Sequence, residues 1–206
     1  MAINNNDIRV RRTKKLLRKG VAELGKTKSI NKITVKELTD LVEINRGTFY
    51  LHYKDVYGLV DSIEDELCEE FDQKVLIVTP KSPSQHPIDV LESFFEYFRV
   101  HKDIFTVLTG ENGDAKFVYR FSELASIKIR ELFKEIFPDM SMEKYDLAFN
   151  YGRFGVVGIL HCWSTQYPHL SSREVAEKTL DIVLSGIWGI LDDEGKEVLM
   201  NAFNSR

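Results

Sequence analysis

Apolar residues recur every three or four positions along most of the chain, and no segment shows the strict alternation typical of a half-buried strand. In the N-terminal part, Val10, Leu17, Val21 and Leu24 follow this spacing, which predicts a first helix over about residues 8–24. The same period returns in the segments that follow. We therefore predict an all-α fold of about nine helices.

Polar side chains that can cap helices mark where the following helices begin. Thr34 is followed three residues later by Glu37, a capping-box pattern that predicts the start of a second helix. Asn45 and Asp55 precede the next two apolar patterns and predict the starts of the third and fourth helices. Further helix starts are predicted at Ile88, at Ser141 and at Ser171 or Ser172, with the last helix running through Leu191.

Segments rich in proline, glycine and serine separate these helices. Residues 79–87 contain three prolines and two serines in nine positions, which predicts a linker. Shorter breaks are expected at 109–114, 137–138 and 167–169.

Charge is divided unevenly along the chain. The whole chain carries a net charge of −4, which by itself argues against nucleic acid as a partner. Residues 1–58 nevertheless contain 13 Lys/Arg and 6 Asp/Glu, whereas residues 59–206 contain 15 and 26. A basic N-terminal module on an acidic body concentrates affinity for DNA at one end of the chain.

Other features argue against several classes of protein. No apolar run reaches the roughly 18–20 residues that span a bilayer, and the first residues lack the apolar core of a secretion signal. Cys68 and Cys162 have no second thiol at metal-ligand spacing, and His86, His101 and His169 show no such spacing either. We therefore expect a cytoplasmic protein without a metal, a cofactor or a membrane partner.

Residues 34–58 hold the pattern that says most about function. Two short predicted helices are separated there by about three residues, and the second opens with Arg46 and Thr48. Such a pair can place its second helix in a groove of double-stranded DNA. The sequence therefore predicts a helix-turn-helix and favours a transcriptional regulator over an enzyme.

With this motif and spacing, the chain resembles the TetR family of bacterial regulators, most specifically over residues 8–60. The resemblance implies a three-helix DNA-binding domain over residues 1–54, with the third helix reading the DNA. It also implies a helical effector-binding and dimerisation body over residues 55–206. In that body the last two long helices would pair with a second subunit.

Three residues at the start of the third helix are candidates for reading bases. The guanidinium of Arg46 could bind a guanine edge or a phosphate. Gly47 allows a close approach of the backbone to DNA. Thr48 offers a hydroxyl and a methyl group that can meet a thymine. Phe49, by contrast, is expected in the core, where it would hold this helix in place.

Residues after them are candidates for holding the helix on the DNA backbone. The resemblance assigns phosphate contacts to Tyr50 and His52. Tyr53 could contact phosphate or the core. Lys54 lies just before the fourth helix, whose N-terminus adds its own attraction for phosphate.

Two further groups could contact the backbone from other positions. Thr34 can bind phosphate from the other side of the groove, and Lys36 is a weaker candidate. Arg9, Arg11 and Arg12 could form an N-terminal arm that contacts the backbone or the minor groove. The alternative for this basic run is a solvated helix face.

Glu43 departs from the family pattern. The turn between the second and third helices usually carries glycine, because a left-handed backbone suits it. A residue with a Cβ atom in that conformation costs roughly 1 kcal/mol. Glu43 is therefore the one position of the motif that the resemblance does not explain.

Small residues in the most apolar helix predict close packing. Gly152-x-x-Gly155-x-x-Gly158 has the wrong spacing for a dinucleotide loop and lies in a helical pattern, so it is expected to pack across a dimer interface or inside the body. The predicted interface residues are Gly155, Gly158, Val183, Ile187 and Trp188.

Polar residues at apolar positions are the best indication of an effector pocket. Arg153 and His161 lie two turns apart and could face one cavity or the dimer seam. The predicted pocket residues are Phe98, Tyr119, Arg153 and His161, within a body rich in aromatic residues.

These patterns favour a ligand-responsive repressor that binds a palindromic operator as a homodimer and answers to an unidentified small-molecule effector. One alternative is a TetR-like coactivator, or a regulator controlled by a protein partner. A more distant alternative is an all-α small-molecule-binding protein or enzyme. For the enzyme, the sequence offers no nucleophile–base pair, paired carboxylates or metal cluster.

Overall fold

The computed structural model describes residues 5–74, 87–110, 113–136, 140–193, 195–197 and 200. These residues contain no strand, and the predicted all-α fold is confirmed. The helices are α1 (Asn5–Gly25), α2 (Val35–Leu41), α3 (Arg46–Tyr50), α4 (Val56–Lys74), α5 (Pro87–Val100), α6 (Lys102–Thr109), α7 (Ala115–Ile136), α8 (Met142–Thr165) and α9 (Ser172–Trp188). A short 3₁₀ helix, Ile30–Lys32, lies between α1 and α2.

The predicted capping residues begin the helices as expected. Thr34 and Glu37 form a complete capping box at the start of α2. The Asn45 side chain accepts a hydrogen bond from the Gly47 N–H at the start of α3. Other predicted caps are confirmed by hydrogen bonds from Gly58 N to Asp55 at 2.9 Å, from Lys144 N to Ser141 at 3.4 Å and from Glu174 N to Ser171 at 3.2 Å.

Two helix ends differ from the prediction. α1 begins at Asn5, earlier than the predicted residue 8, because its first turn is polar and gives no apolar signal. α9 ends at Trp188 and not at Leu191, since Gly189 follows it and glycine is a poor helix former. The predicted linker falls almost entirely on residues 79–86, which lie outside the described residues.

The chain forms two compact units, residues 1–70 with 101–119, and residues 71–100 with 120–206. In the first unit, α1, α2, α3 and α4 bury a common apolar core of Leu17, Val21, Leu38, Phe49, Leu59, Ile63 and Leu67. Gly20 of α1 lies so close to Leu38 of α2 that a Cβ atom would overlap that side chain. Gly25 leaves equally little room against Val107 of α6.

The second unit is built around aromatic rings. The Phe71 ring packs against Phe94, Tyr97 and Phe121 at centroid distances of 5.7, 5.3 and 4.8 Å. The last helix packs against both α5 and α8. Arg173 of α9 binds Asp89 and Glu92 of α5 at 2.8 Å each, and these ion pairs fix the two helices at their solvent-exposed edge.

Candidate DNA interface

The turn between α2 and α3 adopts the conformation that the motif requires. Glu43 has a φ of 55°, and among the described residues it is the only one other than glycine with a positive φ. The amide of Ile44 donates to the Thr39 carbonyl at 3.1 Å and closes the turn. The turn thus keeps its left-handed conformation with glutamate in place of glycine, and this residue reverses the chain so that α3 starts at Arg46.

A buried phenylalanine holds α3 in place. Phe49 is fully buried, as predicted, and its ring meets the rings of Tyr50 and Tyr53 at centroid distances of 5.5 and 5.8 Å. Since α3 has only five residues, this burial and the Asn45 cap hold the helix far more than its own propensity does. The opposite side of α3 is left at the surface.

The exposed side of α3 carries the predicted base-reading and phosphate-binding residues. Arg46 and Gly47 are exposed, and Thr48 is half-buried beside them. Tyr50 is 59% exposed. The remaining candidates follow directly, with His52 and Tyr53 half-buried and Lys54 exposed before α4.

Leu51 is a surface residue that the sequence pattern did not single out. Its side chain is 80% exposed and lies at the C-terminal end of α3, between Tyr50 and His52. An aliphatic group in this position is suited to contact a thymine methyl group. The sequence carries no signal that separates Leu51 from a core residue, because Phe49 and Leu51 are both apolar and only the fold decides which of them is buried.

Thr34 is already engaged within the protein. Its hydroxyl donates to the Glu37 carboxylate at 2.7 Å and accepts from the Glu37 amide at 3.2 Å. Lys28 also binds Glu37, at 2.5 Å, and these contacts hold the pKa of Glu37 down at about 2. A phosphate contact from the Thr34 hydroxyl requires it to leave Glu37, whereas Lys36 is exposed on the same helix.

The basic residues before residue 13 belong to a helix and do not form an extended arm. Arg9, Arg11 and Arg12 lie in the first half of α1 and are exposed. The helix prediction for these residues is thus confirmed, and their contact with the DNA backbone or the minor groove stays a prediction. Lys14 of the same run binds Glu66 at 2.6 Å.

Comparisons with known proteins agree with this geometry. Residues 85–185 match a TetR family model described as the transcriptional regulator C-terminal region. The chain is 18% identical over 176 residues to the uncharacterised HTH-type transcriptional regulator YxbF of Bacillus subtilis, covering 81% of this chain and 43% of that protein. The chain thus spans less than half the length of this curated relative.

Solved structures share the fold. A TetR-family transcriptional regulator from Syntrophomonas wolfei superposes with a TM-score of 0.62 at 13% identity, covering 89% of this chain and 98% of that one. A TetR regulator from Streptococcus agalactiae gives 0.58 at 19% identity, with 86% and 97% covered. The dihydroxyacetone kinase operon activator DhaS gives 0.56 at 15% identity, with 85% and 96% covered.

Residues 85–185 thus match the C-terminal region of TetR-family transcriptional regulators, and the described helices have the fold of solved TetR-family structures.

The predicted pocket residues lie in different surroundings. Phe98 belongs to the aromatic core of the second unit, where its ring meets Phe121 at 5.5 Å. Arg153 forms an ion pair with Glu123 of α7, and its side chain is only 8% exposed. His161 is exposed on α8, and Tyr119 belongs to the first unit with 60% exposure. The structure therefore does not gather the four residues into one site within either unit.

One face of α8 leaves large apolar side chains in solvent. Leu147, Tyr151 and Phe154 are 64, 51 and 58% exposed, and they line an open depression of about 610 Å³. Gly155 and Gly158 continue this face, and a Cβ atom at either would meet nothing. We call the exposed face of Leu147, Tyr151, Phe154, Gly158 and His161 the α8 stripe.

The predicted interface residues on α9 behave differently from one another. Ile187 is 2% exposed and already covered by its own chain, so it is removed from the predicted interface. Val183 lies half-buried beside Gly152, and Trp188 is 40% exposed. Among the described residues, no helix is long and apolar enough to cross a membrane, and no group of three or more His, Cys, Asp or Glu side chains could hold a metal ion.

Proposed function

We propose that this TetR-family regulator is a cytoplasmic homodimer that represses transcription by binding a palindromic operator. The main support is the arrangement of α2, the left-handed Glu43 turn and α3. Phe49 fixes one side of α3 in the core, while Arg46, Tyr50 and Leu51 stand on the other side at the surface. This arrangement suits insertion of α3 into the major groove.

The candidate residues have separable roles in the proposed complex. Arg46, Thr48 and Leu51 would contact base edges, with Gly47 allowing the close approach. Tyr50, His52, Tyr53 and Lys54 would bind phosphates and set the orientation of α3. Thr34 and Lys36 would add backbone contacts from α2.

Substitutions at these positions should separate base reading from phosphate binding. With an inverted-repeat DNA from upstream of its own gene, Lys54→Ala should weaken binding to all sequences and reduce the salt slope by about 2, one for each subunit of the proposed dimer. Arg46→Ala and Leu51→Ala should instead change which base is preferred at one or two positions, costing about 1–3 kcal/mol at each. Fluorescence anisotropy at several salt concentrations measures both effects.

Lys116→Ala is the matched control, since Lys116 is an exposed lysine in the first turn of α7. It removes the same charge outside the proposed interface, and its affinity and salt slope should equal those of the wild type. If Lys54→Ala behaves like Lys116→Ala, the phosphate assignment of Lys54 is wrong. A uniform loss across sequences for Arg46→Ala would make Arg46 a phosphate contact.

The α8 stripe supports the homodimer. Leu147, Phe154 and His161 are spaced by seven residues, with Tyr151 and Gly158 four residues after the first two. This is the spacing of a helix seam that packs against another helix. A twofold pair of subunits would present two copies of α3, which matches a palindromic operator.

We propose that a small molecule controls this regulator, and the aromatic interior of the second unit supports this proposal. A ligand acts only through its different affinities for the DNA-binding and released states.

A second candidate, an activator or a regulator that answers to a protein partner, is favoured by one observation. The structural neighbour DhaS carries the name of an operon activator. A transcription assay with the purified protein and its operator separates the two, since a repressor lowers transcript yield and an activator raises it.

A further inference from the structure

His101 lies where three helices of the first unit meet. Its backbone carbonyl accepts from the amides of Ile104 and Phe105 and begins α6, while its side chain is only 14% exposed. The ring Nδ1 lies 2.7 Å from Nη2 of Arg18 on α1. The ring Nε2 lies 3.3 Å from Oε2 of Glu70 on α4. One imidazole thus links α6 to both α1 and α4.

These two contacts specify the protonation state of the ring. A guanidinium group has only donors, so Arg18 can bind Nδ1 only when that nitrogen accepts. The ring proton then lies on Nε2, which faces the acceptor oxygen of Glu70. His101 is therefore neutral in this geometry, with its proton on Nε2. A second proton on Nδ1 would set two donors and two positive charges against each other, while the contact with Glu70 would remain.

The same three helices carry other charged groups. One turn earlier on both helices, Lys14 of α1 binds Glu66 of α4 at 2.6 Å. The first turn of α6 carries Lys102 and Asp103. The pKa of Lys26 on α1 is raised mainly by Glu23 and in small part by the charge of Asp103. Among the types of side chain named around this contact, histidine is the one whose ordinary titration falls between about pH 5 and 8. A change of pH in that range would therefore act on the α1–α6 contact through His101.

The α1 helix gives this contact a route to the DNA-binding module. Gly20 of α1 packs directly on Leu38 of α2, the first helix of the helix-turn-helix. At its C-terminal end, α1 touches α6 through Gly25 and Val107. The contact between α1 and α6 thus has two parts. The apolar part does not depend on pH, whereas the polar Arg18–His101 part does.

We propose that His101 is a positioning residue for the DNA-binding module, and that its protonation breaks the bond to Arg18 and lowers operator affinity. The regulator would then bind its operator less tightly in mildly acidic conditions. The DNA readout rests on the proposed function, whereas the state of the His101 ring does not.

His101→Gln and His101→Lys test the two states of the ring. A glutamine can accept from Arg18 through its carbonyl and donate to Glu70 through its amide, but it does not titrate. A lysine places a permanent positive charge beside Arg18. At constant ionic strength, we expect wild type and His101→Gln to bind the operator equally at pH 8. At pH 5.5 the wild type should bind about five-fold more weakly than His101→Gln, the size of one hydrogen bond.

His101→Lys should show the weaker binding already at pH 8. Because every variant keeps the same candidate interface, effects of pH on that interface cancel in these ratios. His169→Gln, which removes an exposed histidine of the second unit, is the control and should follow the wild type. Identical pH profiles for wild type and His101→Gln would overturn the proposal.

The ring state can be measured without DNA. Nitrogen-15 NMR of the histidine rings at pH 8 should show His101 with a protonated Nε2 and a bare Nδ1. At pH 5.5, amide exchange in α1 should be faster in the wild type than in His101→Gln, whereas at pH 8 the two proteins should exchange at the same rate. A proton on Nδ1 at pH 8 would overturn the proposal even if the operator binds. If no variant binds DNA while the ring and exchange results hold, the proposed function fails and the α1–α6 contact stands.

Discussion

Glu43 shows how a single residue can support the motif at a cost in stability. Its φ of 55° is the conformation that reverses the chain between α2 and α3. Glycine adopts this conformation freely, whereas a residue with a Cβ atom pays roughly 1 kcal/mol. The residue is exposed, so its charge adds little to the energy of the fold.

Glu43→Gly should therefore stabilise the protein, by up to about 1 kcal/mol in the free energy of unfolding. The gain is limited because glycine also gives the unfolded chain more freedom. Urea denaturation measures the difference. Glu43→Ala removes the same charge but keeps the Cβ atom, and it should give no such gain. An equal gain for both variants would assign the effect to charge and not to the backbone.

Single positions also show what the sequence could and could not predict. Thr34, Asn45 and Phe49 were predictable, because capping and burial of a short helix depend on neighbouring residues in the chain. Leu51 and Ile187 were not, because both are apolar and only the fold decides which becomes covered. Leu51 is 80% exposed, whereas Ile187 is 2% exposed.

At the scale of elements, short helices depend on their ends. Helix α2 has seven residues and begins with a capping box in which Glu37 accepts from the Thr34 amide at 3.0 Å and from the Thr34 hydroxyl at 2.7 Å. Lys28 adds an ion pair, and these contacts, with Lys28 the largest cause, lower the pKa of Glu37 from 4.5 to about 2. The contribution of the carboxylate to folding is thus present above about pH 4.5 and is lost as the pH falls through about 2.

Glu37→Gln should make the free energy of unfolding less dependent on pH in acidic solution. The wild type should lose stability between about pH 5 and 3 more steeply than Glu37→Gln, because the variant has no carboxylate to protonate. Urea denaturation at several pH values measures the two slopes. Asp40→Asn, which changes an exposed acid of the same helix, is the control. A wild-type slope that Glu37→Gln leaves unchanged would contradict the role of the capping box.

Element boundaries were predictable wherever a side chain marks them. The capped starts of α2, α3, α8 and α9 agree with the prediction, since each depends on a hydroxyl or amide next to the first turn. The start of α1 does not agree with the prediction, because a polar first turn carries no apolar signal. Arg9 and its neighbours lie within both the predicted and the observed helix, so any contact they make with DNA must come from a helical face.

At the scale of the whole molecule, the α8 stripe is the feature that the isolated chain leaves unexplained. Apolar periodicity predicted that α8 and α9 pack, but a period cannot tell a surface that meets its own chain from one that meets a second copy. Gly155 and Gly158 face open space, and Phe154 is 58% exposed. In the proposed homodimer, this stripe would be covered by the partner.

Phe154→Glu should therefore convert the dimer into monomers. Each dimer buries two copies of this side chain, so a charge there should raise the dimer dissociation constant at least about 100-fold. Sedimentation velocity at micromolar concentration measures the change. Met142→Glu is the matched control, because Met142 is 62% exposed on the same helix but lies off the stripe. It should stay dimeric.

Operator binding gives a second measure of the same substitution. Without the partner, Phe154→Glu should lose affinity for the full palindrome and bind it no better than a single half-site, because the two copies of α3 no longer act together. The Met142→Glu protein should keep the preference for the palindrome. If Phe154→Glu remains a dimer with the wild-type preference, the subunits associate through another surface, and the α8 stripe must be assigned a different partner.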